Sequence, residues 1–212
     1  MRRSTTWGLG ILVAAALIVL LGGAWLFSGA DVPCAEIRTE DGPGLRCGFD
    51  VAAPPAAVWS AFTATGEPRP YYFDAVLQAE LRPGGRWRFV TDDLERLLAG
   101  GEILTVEPPR RFAHTFAAAD LDDPPSRIAV VLEPAGGGSR VELVHDRFAG
   151  DTATYRRFRR AHPLALSALK AYLETGRLPL RARLYTAIFA PGMKLFTARA
   201  EPWVSAGNDL PD

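Results

Sequence analysis

The distribution of apolar and polar positions separates an apolar N-terminal segment from a globular remainder. Residues 7–27 form a run of 21 positions without a charged side chain. A helix of that length spans about 30 Å, the thickness of a hydrocarbon core. Arg2 and Arg3 precede the run, and acidic residues follow it. By the positive-inside rule we predict a transmembrane anchor over residues 1–30. The protein would then be single-pass in a bacterial inner membrane, with its domain on the outer, periplasmic side.

A cleaved signal peptide is the alternative for this segment. Ser28, Gly29 and Ala30 form an acceptable small-residue cleavage site. The apolar core of a signal peptide is usually about 7–15 residues, so the length of the run favours an anchor that is kept. Both interpretations place the globular domain outside the cytoplasm.

Alternation of apolar and polar side chains predicts a series of strands in the middle of the chain. The predicted strands are residues 45–52, 76–81, 86–90, 102–106, 111–117, 127–133 and 140–146. Pro54 and Pro55 predict a short helix directly after the first strand. Residues 91–100 are expected to form a polar connection with room for a helical turn, and the glycine-rich residues 134–139 predict a hairpin.

The longest helical pattern covers residues 152–175. Tyr155, Phe158, His162, Leu166 and Leu169 recur at helical spacing on one face. Pro163 is expected to kink this helix or to begin a second segment, and Gly176 to end it. Successive strands followed by one long helix predict an α+β fold, in which a curved antiparallel sheet wraps around the C-terminal helix.

Composition excludes several classes of protein. The chain has 24 basic and 24 acidic residues, so it lacks the basic surplus typical of a nucleic-acid-binding protein. Two cysteines and three histidines are too few for a zinc-rich or iron–sulfur scaffold. We therefore expect no metal, no cofactor and no nucleic-acid partner.

The two cysteines, Cys34 and Cys47, flank a strong turn signal at residues 40–44. Residues 35–39 and 45–51 can form the two arms of a hairpin that places the two sulfur atoms opposite each other. An oxidising compartment would permit a disulfide. Two free buried thiols are the alternative.

Four motifs resemble the START-like (SRPBCC) superfamily. The segment DVAAPPAAVWSAFT at residues 50–63 resembles the opening of that superfamily. Residues 81–89 and 101–112 resemble the branch named for the activator of the heat-shock-protein-90 ATPase, and residues 169–176 resemble its final helix. The resemblance implies a helix-grip fold over residues 45–176. It leaves residues 1–30 as an anchor, 31–44 as a linker or hairpin arm, and 177–212 as a C-terminal amphipathic extension.

The resemblance implies a cavity between sheet and helix. The candidate cavity residues are Trp59, Tyr71, Tyr72, Phe73, Trp87, Phe89, Phe112, His114, Phe116, His145, Phe158, His162 and Leu166. We expect the loop with Tyr71, Tyr72 and Phe73 at its mouth, and at least one histidine in its wall. A pocket for a small ligand measures about 300–1,000 Å³. The alternative is that the inward histidines are hydrogen-bonded core residues.

Two classes of function follow from these observations. The first is a binding domain for a small apolar or amphipathic, lipid-like molecule, favoured because the sequence has no nucleophile–base motif. The alternative is a cyclase, isomerase or hydrolase that uses His114, His145 or Glu102 as acid or base. Chaperone activation is not expected, because a domain outside the cytoplasm would meet neither a cytosolic chaperone nor ATP.

Two basic or amphipathic segments could contact a membrane. The run at residues 156–160 holds four arginines and is either a solvated helix face or a contact for anionic lipid headgroups. The extension at residues 177–212 either packs on its own domain or lies on a membrane.

Overall fold

The computed structural model describes residues 31–187 and 197–203. Its nine strands form one antiparallel sheet in the order β1-β2-β9-β8-β7-β6-β5-β4-β3. The strands are β1 (Cys34–Thr39), β2 (Gly42–Val51), β3 (Pro68–Arg69), β4 (Ala75–Ala79), β5 (Arg86–Val90), β6 (Leu97–Glu107), β7 (Arg111–Ala118), β8 (Ser126–Ala135) and β9 (Gly138–Asp146). The helices are α1 (Pro55–Thr63), a 3-10 turn (Pro70–Tyr72) and α2 (Ala153–Thr175). A further helix occupies 180–187. The predicted α+β fold, with a curved antiparallel sheet against a C-terminal helix, is confirmed.

A disulfide closes the hairpin of β1 and β2. Cys34 and Cys47 are directly opposite in the antiparallel register. Their Cα atoms lie 4.1 Å apart and their sulfur atoms are bonded. Cys47 is fully buried, so the bridge attaches the edge strand β1 to the hydrophobic core.

The sheet bends where its central strands lose regular pairing. The register shifts between Phe89 and Val90 in the β5–β6 pair, and between Ile103 and Thr105 in the β6–β7 pair. Such irregularities increase local twist and bend a strand.

Helix α2 is continuous through Pro163, so the second segment that this proline was expected to begin as an alternative to a kink does not form. The Thr152 side chain caps its first turn by accepting the backbone N–H of Tyr155 at 3.1 Å, and Gly176 ends it with a positive φ of 68°. Proline removes one helical hydrogen bond. The buried face of the helix, which includes Phe158, Leu166 and Leu169, stabilises it on both sides of that position.

Strand β6 begins earlier than predicted. It starts at Leu97, within the segment expected to be a polar connection. Residues 197–203 explain the difference in part, because the Leu97 N–H donates to the Ala198 carbonyl at 3.0 Å. Trp203 in the same segment lies 4.9 Å from the Arg88 guanidinium. This described part of the C-terminal extension therefore packs on its own domain.

The predicted membrane location is corrected. Across residues 31–187 and 197–203, every helix is too short or too polar to cross a bilayer. This finding contradicts the expectation of a single-pass protein in a bacterial inner membrane with a periplasmic domain. The predicted anchor at residues 1–30 lies outside the described residues.

Candidate functional site

An apolar cavity of about 90 Å³ lies between the inner face of the sheet and α2. Alternation along β7 directs Phe112, His114 and Phe116 to this face, because side chains two positions apart share a face of a strand. His162, Leu166 and Leu169 approach from α2 at helical spacing. Among the described residues, the wall is formed by Ala61, Phe62, Arg69, Tyr71, Tyr72, Leu77, Trp87, Phe89, Phe112, His114, Phe116, Ile128, Val130, Leu143, His162, Ala165, Leu166 and Leu169.

The cavity is smaller than predicted, and it opens to the surface. Its volume lies below the expected range, and its wall includes the large rings of Trp87, Phe89 and Phe116. A single water needs about 10–15 Å³ on the same scale, so the cavity has room for several waters or one compact molecule. Its partly exposed wall residues lie on α1, the tyrosine-containing turn, β5 and α2; they are Ala61, Phe62, Tyr71, Tyr72, Phe89 and Ala165. The opening is therefore on that side.

Nine of the thirteen candidate cavity residues line this space: Tyr71, Tyr72, Trp87, Phe89, Phe112, His114, Phe116, His162 and Leu166. Trp59 does not line the cavity and instead packs edge-on against Phe112, with ring centres 6.2 Å apart. Phe73 contacts Tyr185 of the 180–187 helix at 5.3 Å. His145 and Phe158 lie inward but behind the wall, with ring centres 5.0 Å apart.

Arg69 is a wall residue that the sequence did not indicate. It lies between two prolines at the end of β3, a place where a charged side chain is usually exposed, yet it is only 6% exposed. One guanidinium nitrogen, Nη2, donates to the Ala64 carbonyl at the C-terminus of α1, at 2.6 Å. The guanidinium carbon lies 5.2 Å from the centre of the Phe89 ring. Burial lowers the pKa of Arg69, although an arginine stays protonated at neutral pH.

His114 is neutral and held in one tautomer. Its Nδ1–H donates to the Thr115 carbonyl at 2.9 Å, which leaves Nε2 as an acceptor. The ring packs edge-on against Trp87, with centres 4.2 Å apart. Burial lowers the pKa of His114 to about 4, and the charge of Arg69 adds to that effect. At neutral pH the ring can accept a proton or a hydrogen bond but carries no charge.

Ser126, His145 and His162 form a buried hydrogen-bonded chain. Ser126 Oγ lies 2.7 Å from His145 Nε2, and His145 Nδ1 lies 2.8 Å from His162 Nε2. Burial lowers the pKa of His162 to about 3; burial, with the neighbouring His162, lowers that of His145 well below its ordinary value. The sequence of hydrogen-bonded side chains resembles a catalytic arrangement in which Ser126 would be the nucleophile, His145 the base and His162 the orienting group. However, Ser126 is 2% exposed and does not line the cavity, so a substrate there would not reach its hydroxyl.

The structure separates the remaining acid–base candidate from the cavity. Glu102 is exposed on β6 and lies opposite Arg86 in the register. In the part of the chain that the structure describes, there is no group of three His, Cys, Asp or Glu side chains arranged to hold a metal ion. The polar groups of the cavity are therefore Arg69, the two tyrosine hydroxyls, His114 and His162.

A second cleft of about 60 Å³ lies between α2 and the 180–187 helix. Phe73, Ala168 and Tyr185 contribute to its walls. It adjoins the main cavity through Tyr71 and Ala165, which line both. The hydroxyl of Tyr71 donates to the Ala61 carbonyl at 2.7 Å, which fixes the ring between the two spaces.

Several solved structures share this fold at low sequence identity. CalU16 from Micromonospora echinospora is 20% identical, with a TM-score of 0.50, and the match covers 78% of this chain and 96% of that one. The Aha1 dimer from Colwellia psychrerythraea is 15% identical, with a TM-score of 0.51, covering 63% and 98%. A conserved protein of unknown function from Enterococcus faecalis, EF2215, is 13% identical, with a TM-score of 0.54, covering 82% and 98%. These likenesses show the fold alone.

The sequence itself gives the family. A comparison with curated proteins finds no match. The sequence profile described as activator of Hsp90 ATPase homolog 1-like protein matches residues 52–174, more than half of the chain. This range extends from the residue after β2 to the penultimate residue of α2, and it contains every cavity-wall residue named above. The chain therefore belongs to the family of activator of Hsp90 ATPase homolog 1-like proteins.

Proposed function

We propose that this domain binds a small apolar or amphipathic molecule in the cavity between the sheet and α2. The observation that carries the proposal is the cavity itself: it is walled mainly by aromatic and aliphatic side chains, has few polar groups, and opens to solvent. Pockets of this composition are the usual sites of small-ligand binding. A core filled to normal density would leave no such space.

The volume favours a compact ligand. An apolar cavity of about 150 Å³ accepts one benzene-sized molecule, so this cavity of about 90 Å³ accommodates at most a single ring, part of which would lie in the opening, or a short branched chain. A lipid with long acyl chains would need the aromatic walls to move apart. We therefore place the ligand in the size class of monocyclic compounds.

Titration of the full-length, ¹⁵N-labelled chain with benzyl alcohol tests this proposal. The indole N–H of Trp87 reports on the cavity, because Trp87 lines the wall and donates to the Thr115 carbonyl at 2.9 Å. A Trp87→Phe variant assigns the signal. We expect a saturable shift of this resonance.

Two alanines of α2 supply the variant and its matched control. Ala165→Leu projects a larger side chain into the cavity and should abolish the saturable shift. Ala171→Leu adds the same atoms at a half-buried position outside the wall and should preserve it. Wild-type protein without a saturable response, or equal responses in the two variants, would refute binding in this cavity.

A hydrolase is the second candidate, favoured only by the spacing of Ser126, His145 and His162.

Chaperone activation is the activity to which the family description refers. Its exclusion depended on the periplasmic location, which has been corrected. Adding the purified chain to a chaperone ATPase assay measures that activity directly, and the benzyl alcohol titration is independent of its outcome.

A further inference from the structure

The cavity contains a cation for which the described chain offers no anion. Arg69 is 94% buried, since only 6% of its surface is exposed. No Asp or Glu within residues 31–187 and 197–203 lies within 4.0 Å of its guanidinium, although the arginines that pair with acids elsewhere in those ranges are far more exposed. A buried charge is costly unless it is paired.

The contacts that Arg69 does make are partial substitutes for an anion. The Ala64 carbonyl occupies one of its five N–H donors, and the end of α1 contributes a favourable dipole. The face of Phe89 attracts the cation from one side. These contacts hold the guanidinium in place but leave N–H groups without a carboxylate, in a wall that faces the empty space.

The neighbouring polar groups suit an anion beside Arg69. Tyr72 lines the same cavity, and its hydroxyl has no hydrogen-bond partner in the described part of the chain, so it can donate to a ligand. Burial raises the pKa of Tyr72 to about 12, so the phenol is neutral at physiological pH. The two groups together offer a planar charged donor and a neutral donor.

The rest of the wall suits a ring. Three aromatic rings form this part of the wall. The ring centre of Trp87 lies 5.4 Å from that of Phe89 and 6.0 Å from that of Phe116. Aromatic pairs at such distances pack favourably in edge-on or offset geometry. A ring placed between these side chains and α2 would occupy most of the available volume.

We propose that the cavity is selective for monocyclic aromatic carboxylates, whose carboxylate pairs with Arg69 while the ring lies against the aromatic wall. This inference rests on the proposed binding function and names its ligand class. A planar carboxylate matches the geometry of a guanidinium, and charge-assisted hydrogen bonds of this kind are stronger than neutral ones. Water exclusion inside the cavity strengthens the pair further.

Benzoate and benzyl alcohol form the matched pair of probes, because they share a ring and differ in charge. With the full-length chain at neutral pH, followed by the Trp87 indole resonance, we expect benzoate to bind at least about tenfold more tightly. Arg69→Gln should remove that preference, so that the affinities of the variant for benzoate and benzyl alcohol differ by no more than about twofold. Arg69→Lys should retain part of the preference, because it keeps the charge but loses the planar fork.

The outcomes separate this inference from the proposed function. Saturable binding of benzyl alcohol with no preference for benzoate overturns the carboxylate selectivity and leaves ligand binding intact. A preference that persists in Arg69→Gln also overturns it, since the charge would then lie elsewhere. Absence of binding by both probes overturns both proposals. If Arg69→Gln does not fold, the wild-type comparison and Arg69→Lys still decide the matter.

Discussion

His145 Nδ1 and His162 Nε2 face each other at 2.8 Å, one on β9 and the other on α2. A hydrogen bond between two ring nitrogens requires that one carry a proton and the other a lone pair. On the other side of His145, the Ser126 hydroxyl donates its one proton to the Phe116 carbonyl at 3.2 Å and therefore accepts from His145 Nε2–H. His145 Nδ1 then accepts from His162 Nε2–H. Two charged rings cannot share this contact, because both nitrogens would then be donors, so the link between sheet and helix requires at least one neutral histidine.

Acid should destabilise the fold in a pH range set by these histidines. Burial lowers the pKa of His114 to about 4 and that of His162 to about 3, and lowers that of His145 in the same direction. An unfolded histidine titrates near pH 6.5. Between pH 6.5 and about 4 the unfolded chain thus binds more protons, and lowering the pH favours unfolding. We expect a loss of up to about 1.4 kcal/mol per pH unit for each histidine.

Denaturant unfolding at pH 7.5, 6.5, 5.5 and 5.0 measures this effect. The stability should be constant above pH 7.5 and should fall below 6.5, before carboxylates titrate. His162→Gln should reduce the slope by about a third, since one of three buried histidines is lost. Leu132→Val, a mild core substitution without a titratable group, should lower stability and preserve the slope. A stability independent of pH over this range would contradict the assigned neutral state.

The disulfide should contribute substantially to stability. It closes a loop with a sequence separation of 13, for which the chain-entropy relation gives about 2–3 kcal/mol. Cys34→Ala combined with Cys47→Ala should lower the free energy of unfolding by that amount and loosen β1. Reducing agent should reproduce the loss in the wild-type protein and have no effect on the double variant. Equal unfolding midpoints for the two proteins would argue against a structural bridge.

Gly101 should not tolerate a side chain. A Cβ atom there would overlap the carbonyl oxygen of Thr115 on the neighbouring strand, close to the register shift between β6 and β7. Gly101→Ala should cost about 1–3 kcal/mol, as overpacking does in cores. Gly48→Ala is the matched control, since a Cβ at that strand position would meet only the Val141 carbonyl at 3.9 Å. Thermal unfolding of both variants gives the comparison, and a Gly101→Ala protein as stable as Gly48→Ala would contradict the close strand approach.

Ser126 should be unreactive despite its contact with His145. A fluorophosphonate reagent labels serine nucleophiles that a substrate can reach, whereas Ser126 is 2% exposed and lies behind the cavity wall. We expect no adduct at Ser126 by peptide mass spectrometry, with diisopropyl-fluorophosphate-treated trypsin as a positive control. Ser126→Ala should lower stability by about 1 kcal/mol, through loss of its hydrogen bond to the ring. A stoichiometric adduct on Ser126 would instead support the hydrolase.

The sequence predicted the sheet and the long helix because both follow from periodicity. Phe112, His114 and Phe116 alternate along β7, and His162, Leu166 and Leu169 recur on α2, so their common inward direction is a property of the local pattern. The continuity of α2 through Pro163 was not predictable in the same way. It depends on packing of both halves of the helix against the sheet, which is a tertiary effect.

The cavity was predictable in position but not in its polar content. Its aromatic wall follows from strand phase, whereas the burial of Arg69 depends on how Pro68 and Pro70 turn the chain beneath α1. His145, in contrast, was predicted to line the cavity and does not. Its phase on β9 correctly directs it inward, but it packs behind the wall residue Phe116, with ring centres 5.5 Å apart, and does not line the cavity. Which inward-facing side chains reach the cavity surface depends on how residues of different volume pack together, and the alternation along a strand does not contain that information.

The two edge strands of the sheet differ in the number of backbone groups that they leave available for pairing. Strand β3 has two residues, one of which is Pro68. This edge of the sheet therefore has almost no backbone N–H and C=O groups with which a neighbouring polypeptide could pair. Strand β1 is six residues long, and its outer backbone groups have no strand partner within the described sheet. Edge-to-edge polymerisation of this domain would thus be confined to one side. Two copies could join through β1 to form a dimer, but their β3 borders would prevent further growth into a fibre.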